Sequence, residues 1–156
     1  MLKFKIIIFN AYYNYKIIVL RIRGAKIGDN VKIYGKVVVK YPSKLVIGNN
    51  TTINDGVLLN CRGGITIGNG CRISSSVKIH STGLTINEIP RYHISDMIIL
   101  KDNIWIGSSS VITKGVIIGE NSVISALSLV NKNLDSNYVY GGVPVKKLKI
   151  VNQVII

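Results

Sequence analysis

The stretch Leu100–Val130 reads LKDNIWIGSSSVITKGVIIGENSVISALSLV. An aliphatic residue returns every sixth place: Leu100, Ile106, Ile112, Ile118, Ile124 and Val130. Four places after each of the first five comes a second small or β-branched residue: Ile104, Ser110, Val116, Ser122 and Ser128. A helix buries one face with a period near 3.6 and a half-buried strand with a period of 2, so a sustained period of six fits neither. It fits a short strand and a turn, repeated, with two inward residues per repeat. That is the pattern of a chain coiling as a three-sided prism.

The same rule runs outward from this stretch in both directions. Inward positions fall at Ile27, Ile33 and Val39, then Ile47, Ile53 and Leu59, then Ile67, Ile73 and Ile79, before Leu100 opens the next set. Three hexads make one coil of 18 residues, giving about five coils. Ile27 to Ile47 and Ile47 to Ile67 are each 20 residues, which leaves room for two-residue corner insertions. Ile67 to Leu100 is 33, fifteen more than a plain coil. Stacked rungs have no place for fifteen residues, so they must leave the prism as a loop, at about 85–99. Long loops on rigid scaffolds are where binding and chemistry concentrate. This one holds Arg91, Tyr92 and His93, and the other of the chain's two histidines, His80, lies just before it.

The sequence is thus expected to divide into a basic, apolar cap segment (1–26), the repeat (27–134), and a C-terminal loop and tail (135–156). The first segment, MLKFKIIIFNAYYNYKIIVLRIR, has apolar runs too short and too interrupted to span a membrane. Nor does it show the long apolar stretch and cleavage site of a secretory signal. It reads as an amphipathic helix closing the end of the prism, and its composition also suits a membrane surface.

Twenty Lys and Arg against seven Asp and Glu give a net charge of +13. Such a balance favours an anionic partner. The basic residues are scattered, and no recognition helix, stacking platform or basic stripe is evident, so nucleic acid is not expected. Cys61 and Cys71 form neither a disulfide framework nor a CxxC site, and Cys71 falls on an inward position. This suits a reducing compartment, and the chain is expected in the cytoplasm, with the inner face of the membrane as a place for its first segment.

The hexads IGDNVK, IGNGCR, IGSSSV and IGENSV resemble those of the hexapeptide-repeat acyltransferases. So does the order of events: coils, a histidine-bearing loop, Trp105-Ile106-Gly107, the GVIIG run, then Gly141-Gly142-Val143-Pro144. The resemblance covers about Ile27 to Lys149 and is nearest to sugar and polysaccharide O-acetyltransferases. It implies an all-β, left-handed parallel β-helix, an exception to right-handed crossovers. It implies a homotrimer, acetyl-CoA as acyl donor and a sugar or polysaccharide hydroxyl as acceptor.

Deprotonating a hydroxyl near neutral pH suits histidine. In serine acetyltransferases the catalytic histidine follows an arginine just before a new coil, as His93 follows Arg91. In the galactoside type it directly follows Thr-Gly, but here Thr82-Gly83 is followed by Leu84. That departure favours His93 as base, with His80 the alternative. The resemblance further assigns Ser108, Ala126, Asn131, Lys132, Lys146 and Lys149 to the coenzyme, the last two to its phosphates. Arg91, Tyr92 and Trp105 are candidates for the acceptor. Two departures bear on this mapping: Ser125-Ala126-Leu127 replaces the usual Gly-Ala-Gly, and Asp135-Ser136 stands where prolines are common. Leu127 is expected to narrow the coenzyme groove.

Two other classes compete. Zinc carbonic anhydrases on this fold need three histidine ligands, and the chain has two, so no metal is expected. A non-catalytic trimeric scaffold or binding module would use the same coils without chemistry.

Overall fold

The computed structural model describes residues 15–152. The chain coils into a prism whose three faces are parallel sheets. The first face stacks Lys26–Ile27, Leu45–Ile47, Ile65–Ile67, Ile98–Leu100 and Ile117–Ile118. The second begins with Lys32–Ile33, Thr52–Ile53, Arg72–Ile73, Trp105–Ile106 and Val123–Ile124. The third stacks Val38–Lys40, Leu58–Asn60, Lys78–His80, Val111–Ile112 and Leu129–Val130. Five coils are complete and a sixth is begun.

The core follows from the repeat. Ile53, Ile73, Ile79, Ile106, Ile112 and Ile118 are fully buried. The second inward position is buried too, at Ile104, Ser110, Val116, Ser122 and Ser128. Serine fits there because its hydroxyl finds a carbonyl: Ser110 and Ser128 both donate to the Ser125 carbonyl, at 3.0 and 2.7 Å. Each buried isoleucine contributes about 1.5–3 kcal/mol, repeated coil after coil. Cys71 packs in the same core, and burial raises the thiol pKa of both cysteines, that of Cys61 to about 12.

Sharp corners need backbone in the left-handed region. Between the first and second faces asparagine supplies it at Asn30, Asn50, Asn103, Asn121 and Asn137. Their amides form a ladder up this edge, with Asn103 donating to Asn121 at 3.2 Å and Asn121 to Asn137 at 3.0 Å.

The parallel ladder continues past Val130. Leu134 bridges Ile118, and Tyr138–Gly141 adds a strand beside Val123–Ile124. Lys146–Ile150 then runs antiparallel to that strand and covers the edge of the second face. At the other end a helix over 15–22 seats Leu20 against the first coil. Arg21 ties it there by donating to the Ile27 carbonyl at 2.8 Å. Most of the cap segment expected over 1–26 lies outside the described residues. Among the described residues no helix is long and apolar enough to cross a membrane.

Candidate active site

The extra residues after His80 form a two-stranded arm. Thr82–Leu84 pairs antiparallel with His93–Ser95. The departure therefore begins three residues before the expected start at 85. It also ends sooner, because Ile98 and Ile99 already belong to the first face, where the buried Ile98 pairs with Ile65. The inward alternation of Ile98 and Leu100 pulls these residues back into the ladder.

The arm's root is clamped. Ser81 is buried, and its hydroxyl donates to the Asn60 carbonyl at 2.7 Å while accepting the Gly63 N–H at 2.8 Å. The Ser81 carbonyl accepts the Asp96 N–H at 3.1 Å, closing the base of the arm. Any side chain at Gly63 would strike this junction, since a Cβ there would lie 2.5 Å from the Ser81 carbonyl oxygen. Lys114, one coil on, pairs with Asp96 at 2.8 Å. Beyond the root, Thr85 and Tyr92 exchange two hydrogen bonds, at 2.9 and 3.0 Å.

Register is the informative part. Leu84 stands directly opposite His93. Because side chains alternate along strands, Thr82, Leu84, His93 and Ser95 share one face of the arm. The position after Thr-Gly therefore carries no histidine of its own, yet it has one as its cross-strand neighbour. His93, Arg91 and Tyr92 are all exposed at the outer half of the arm.

His80 lies below the arm, at the end of its strand on the third face. It stacks on Asn60, which stacks on Lys40. Partial burial, then the positive charges of Lys78 and Lys40, hold its pKa below the ordinary value near 6.5. Its imidazole is therefore neutral at pH 7. The Asn60 side-chain oxygen beside it is buried with no hydrogen-bond partner among the described residues.

Most of the positions assigned to the coenzyme lie elsewhere. Ser108 and Ala126 stack at the corner between the second and third faces, where the Leu127 N–H donates to the Ser108 carbonyl at 2.9 Å. Among the described residues the Ala126 backbone makes no hydrogen bond, and both positions are exposed. Leu127 has a φ of 58° and is 72% exposed. A leucine in the left-handed region is strained, and here it stands out beside Ser108. Lys146 and Lys149 extend from the last strand and are exposed, whereas Lys147 between them is held by Asp135 at 2.9 Å and lies over the Tyr138 ring. Open backbone amide groups followed by two ammonium groups that pair with no acid among the described residues suit an extended amide-bearing ligand that ends in phosphates. Asn131 and Lys132 sit at the same corner as the arm, two coils further along. Trp105 is exposed on the second face and donates to Ser74 at 3.1 Å.

One prism thus places the arm and the Ser108–Ala126 corner on different edges. Among the described residues one groove lies between the helix and the first coil and another beside Glu120 and Asn133, and no histidine lines either of them. Among the described residues no three His, Cys, Asp or Glu side chains gather as a metal site. The cross-strand register of Leu84 and His93 and the Ser81 clamp were not foreseen, because neither residue pair carries a periodic signal.

Parallel coils, sequential hexads and a single histidine-bearing arm define a hexapeptide-repeat β-helix. No family model matches the chain. Over 139 residues it is 34% identical to WcaF of Escherichia coli (strain K12), which bears the provisional name colanic acid biosynthesis acetyltransferase; the match covers 85% of this chain and 72% of WcaF. It is 47% identical over 55 residues to the galactoside O-acetyltransferase of the same strain, covering 35% of this chain. That match spans only 27% of the galactoside enzyme's length. The fold superposes, with a TM-score of 0.85 and 25% identity, on a hexapeptide-repeat acetyltransferase from Vibrio cholerae solved with acetyl coenzyme A, covering 90% of this chain and 78% of that one. The chain belongs to the hexapeptide-repeat acyltransferase family.

Proposed function

We propose that this protein transfers an acetyl group from acetyl-CoA to a hydroxyl of a sugar or polysaccharide, with His93 as the general base. The observation that carries the reading is the register of the arm, which sets His93 opposite Leu84. A histidine is thereby returned, from across the hairpin, to the neighbourhood of the position that holds the base in the galactoside type. The 34% identity to WcaF supports a polysaccharide-related acceptor.

Acetyl-CoA supplies an acyl carbon activated as a thioester and a thiolate leaving group. His93 accepts the proton of the acceptor hydroxyl as its oxygen attacks that carbon. An N–H or hydroxyl donor must meet the oxyanion that develops. The carbon–sulfur bond then breaks, and the imidazolium returns its proton to the sulfur, leaving free thiol and an O-acetyl ester. No covalent enzyme intermediate is needed when both substrates bind together. Ser108 and the Ala126 backbone hold the coenzyme arm, Asn131 and Lys132 flank it from the arm-bearing edge of the adjacent copy, and Lys146 and Lys149 meet its phosphates. Arg91, Tyr92 and Trp105 contact the acceptor.

Because the arm and the Ser108–Ala126 corner occupy different edges of one prism, the working site joins edges of adjacent copies. A homotrimer provides three such sites.

The test is release of free thiol from acetyl-CoA with a panel of sugar and oligosaccharide acceptors. His93→Ala is expected to lower turnover by orders of magnitude, and His80→Gln to retain it. Full activity in His93→Ala with loss in His80→Gln moves the base to His80, whose neutral imidazole suits it to that role. No thiol release with any acceptor, and no coenzyme binding, favours a non-catalytic scaffold.

A further inference from the structure

We infer that the helix-bearing end of the prism is a docking surface for a membrane carrying anionic phospholipids. Three observations meet there.

The first is apolar exposure. The helix over 15–22 buries Leu20 and half-buries Ile17 against the first coil, yet Tyr15, Ile18 and Ile22 are left exposed, Tyr15 at the mouth of the groove between helix and coil. These three are 64%, 53% and 79% exposed. Their spacing of three and four places them on one stripe. A helix whose only task was to close the core would have polar residues on that stripe.

The second is charge. Residues 15–44 carry eight Lys or Arg and a single acid, Asp29. Lys26, Lys32, Lys36 and Lys40 are all exposed and are spread around the first coil, and Arg23 is exposed where the helix joins it. The apolar stripe is therefore rimmed by cations. Apolar side chains that enter the headgroup boundary and basic ones that meet acidic headgroups are the two terms that hold an interfacial helix.

The third is a groove between helix and coil. Its floor is Val19, Leu20, Ile33, Val37 and Val39, and Lys16, Arg23 and Lys36 stand at its sides. Lys16 donates to the Gly35 carbonyl, which ties this side of the groove to the coil. A slot with an apolar floor and a basic rim fits an acyl chain below a phosphate.

A protein partner would need matching acidic groups arranged around the whole end, and nucleic acid would leave the apolar stripe in water. An anionic bilayer satisfies both features at once.

The test is flotation of the full chain with vesicles of phosphatidylcholine alone and with added phosphatidylglycerol. Binding is expected only with the anionic lipid, and weaker as salt rises. Each of Arg23→Glu and Lys36→Glu is expected to weaken it by about fivefold or more. Ile18→Asp with Ile22→Asp is expected to abolish it while circular dichroism and oligomeric state stay unchanged. Thiol release with a water-dissolved acceptor should be the same in all these variants, which separates this inference from the assignment of the base. Absence of binding to anionic vesicles at low salt overturns the inference. So does retained binding in the double aspartate variant, a change of oligomeric state in it, which assigns the stripe to another copy, or salt-sensitive binding to duplex DNA without binding to vesicles.

Discussion

The stacked rungs and the arm are both β-structure, but they are held in opposite ways. In the rungs each interior strand lies between parallel neighbours, and its inward residues are sealed in the core: Ile73, Ile106 and Ile124 form one such column. In the arm two strands satisfy each other antiparallel, and the side chains beyond the root face solvent. The rungs are fixed by packing and tolerate little change. The arm is fixed at its base by Ser81, Gly63 and the Asp96–Lys114 pair, and its outer residues are free to be chosen for chemistry. With His93 as the proposed base, stability and function are drawn from different residues, and this division can be attacked from either side.

The largest expected effect is on the arm. His93→Ala should lower turnover by about 10²–10⁴-fold, the usual contribution of a positioned general base. It should leave the denaturation midpoint unchanged, because the side chain is exposed. A parallel loss of stability would show that the arm belongs to the packed body after all. On the rungs the reverse is expected. Ile106→Ala removes a fully buried side chain and should cost about 2–5 kcal/mol in urea or thermal denaturation.

Leu127 tests the boundary between the two regimes. Relief of left-handed strain, roughly 1–2 kcal/mol, is largely offset in Leu127→Gly by the greater freedom of glycine when unfolded. Stability should therefore change by under about 1 kcal/mol, while the KM for acetyl-CoA should fall as the corner opens. An unchanged KM places the coenzyme elsewhere.

His80 sharpens the comparison through pH. Its folded pKa lies below the unfolded value of 6.5. The unfolded chain therefore takes up the proton first, and the contribution to stability is present above pH 6.5 and lost as pH falls through the folded value. The melting temperature should decline on acidification from pH 7, and less steeply in His80→Gln. The smallest effect is expected from Lys114→Ala: the ion pair with Asp96 is exposed, so its loss should cost about 0.2–1 kcal/mol.

The two regions also differed in how far the sequence could be read. The rungs were legible because core burial imposes the same demand every six residues, and the buried positions fell where the hexads placed them, from Ile33 and Ile47 through Ile124 and Val130, with Ile27 and Val39 of the first coil only half-buried. The fifteen-residue excess announced an excursion for the same reason. Its form was not legible. Thr82–Leu84 and His93–Ser95 pair only with each other, so no repeat marks their register, and Ile98 and Ile99 look like loop until the parallel partner Ile65–Ile67 is seen. The sixth coil was hidden likewise: Tyr140 stands where the hexads have an aliphatic residue and Tyr138 where the coil before has Ser122, and Tyr140 is buried with its hydroxyl donating to the Asp135 carbonyl at 3.2 Å. Among the site residues, type and order could be read from the chain, but the edge of the prism on which each would sit could not.

The central claim is that the base on the arm serves a coenzyme bound at another copy's corner. The most direct measurement is thiol release after co-expression of two inactive variants, one carrying His93→Ala and the other Lys146→Glu with Lys149→Glu. If the site is built across copies, mixed assemblies contain some sites with both wild-type halves, and activity returns that neither variant shows alone. If the mixture stays as inactive as its parents while mixed assemblies are present, the arm does not act on a neighbour's coenzyme.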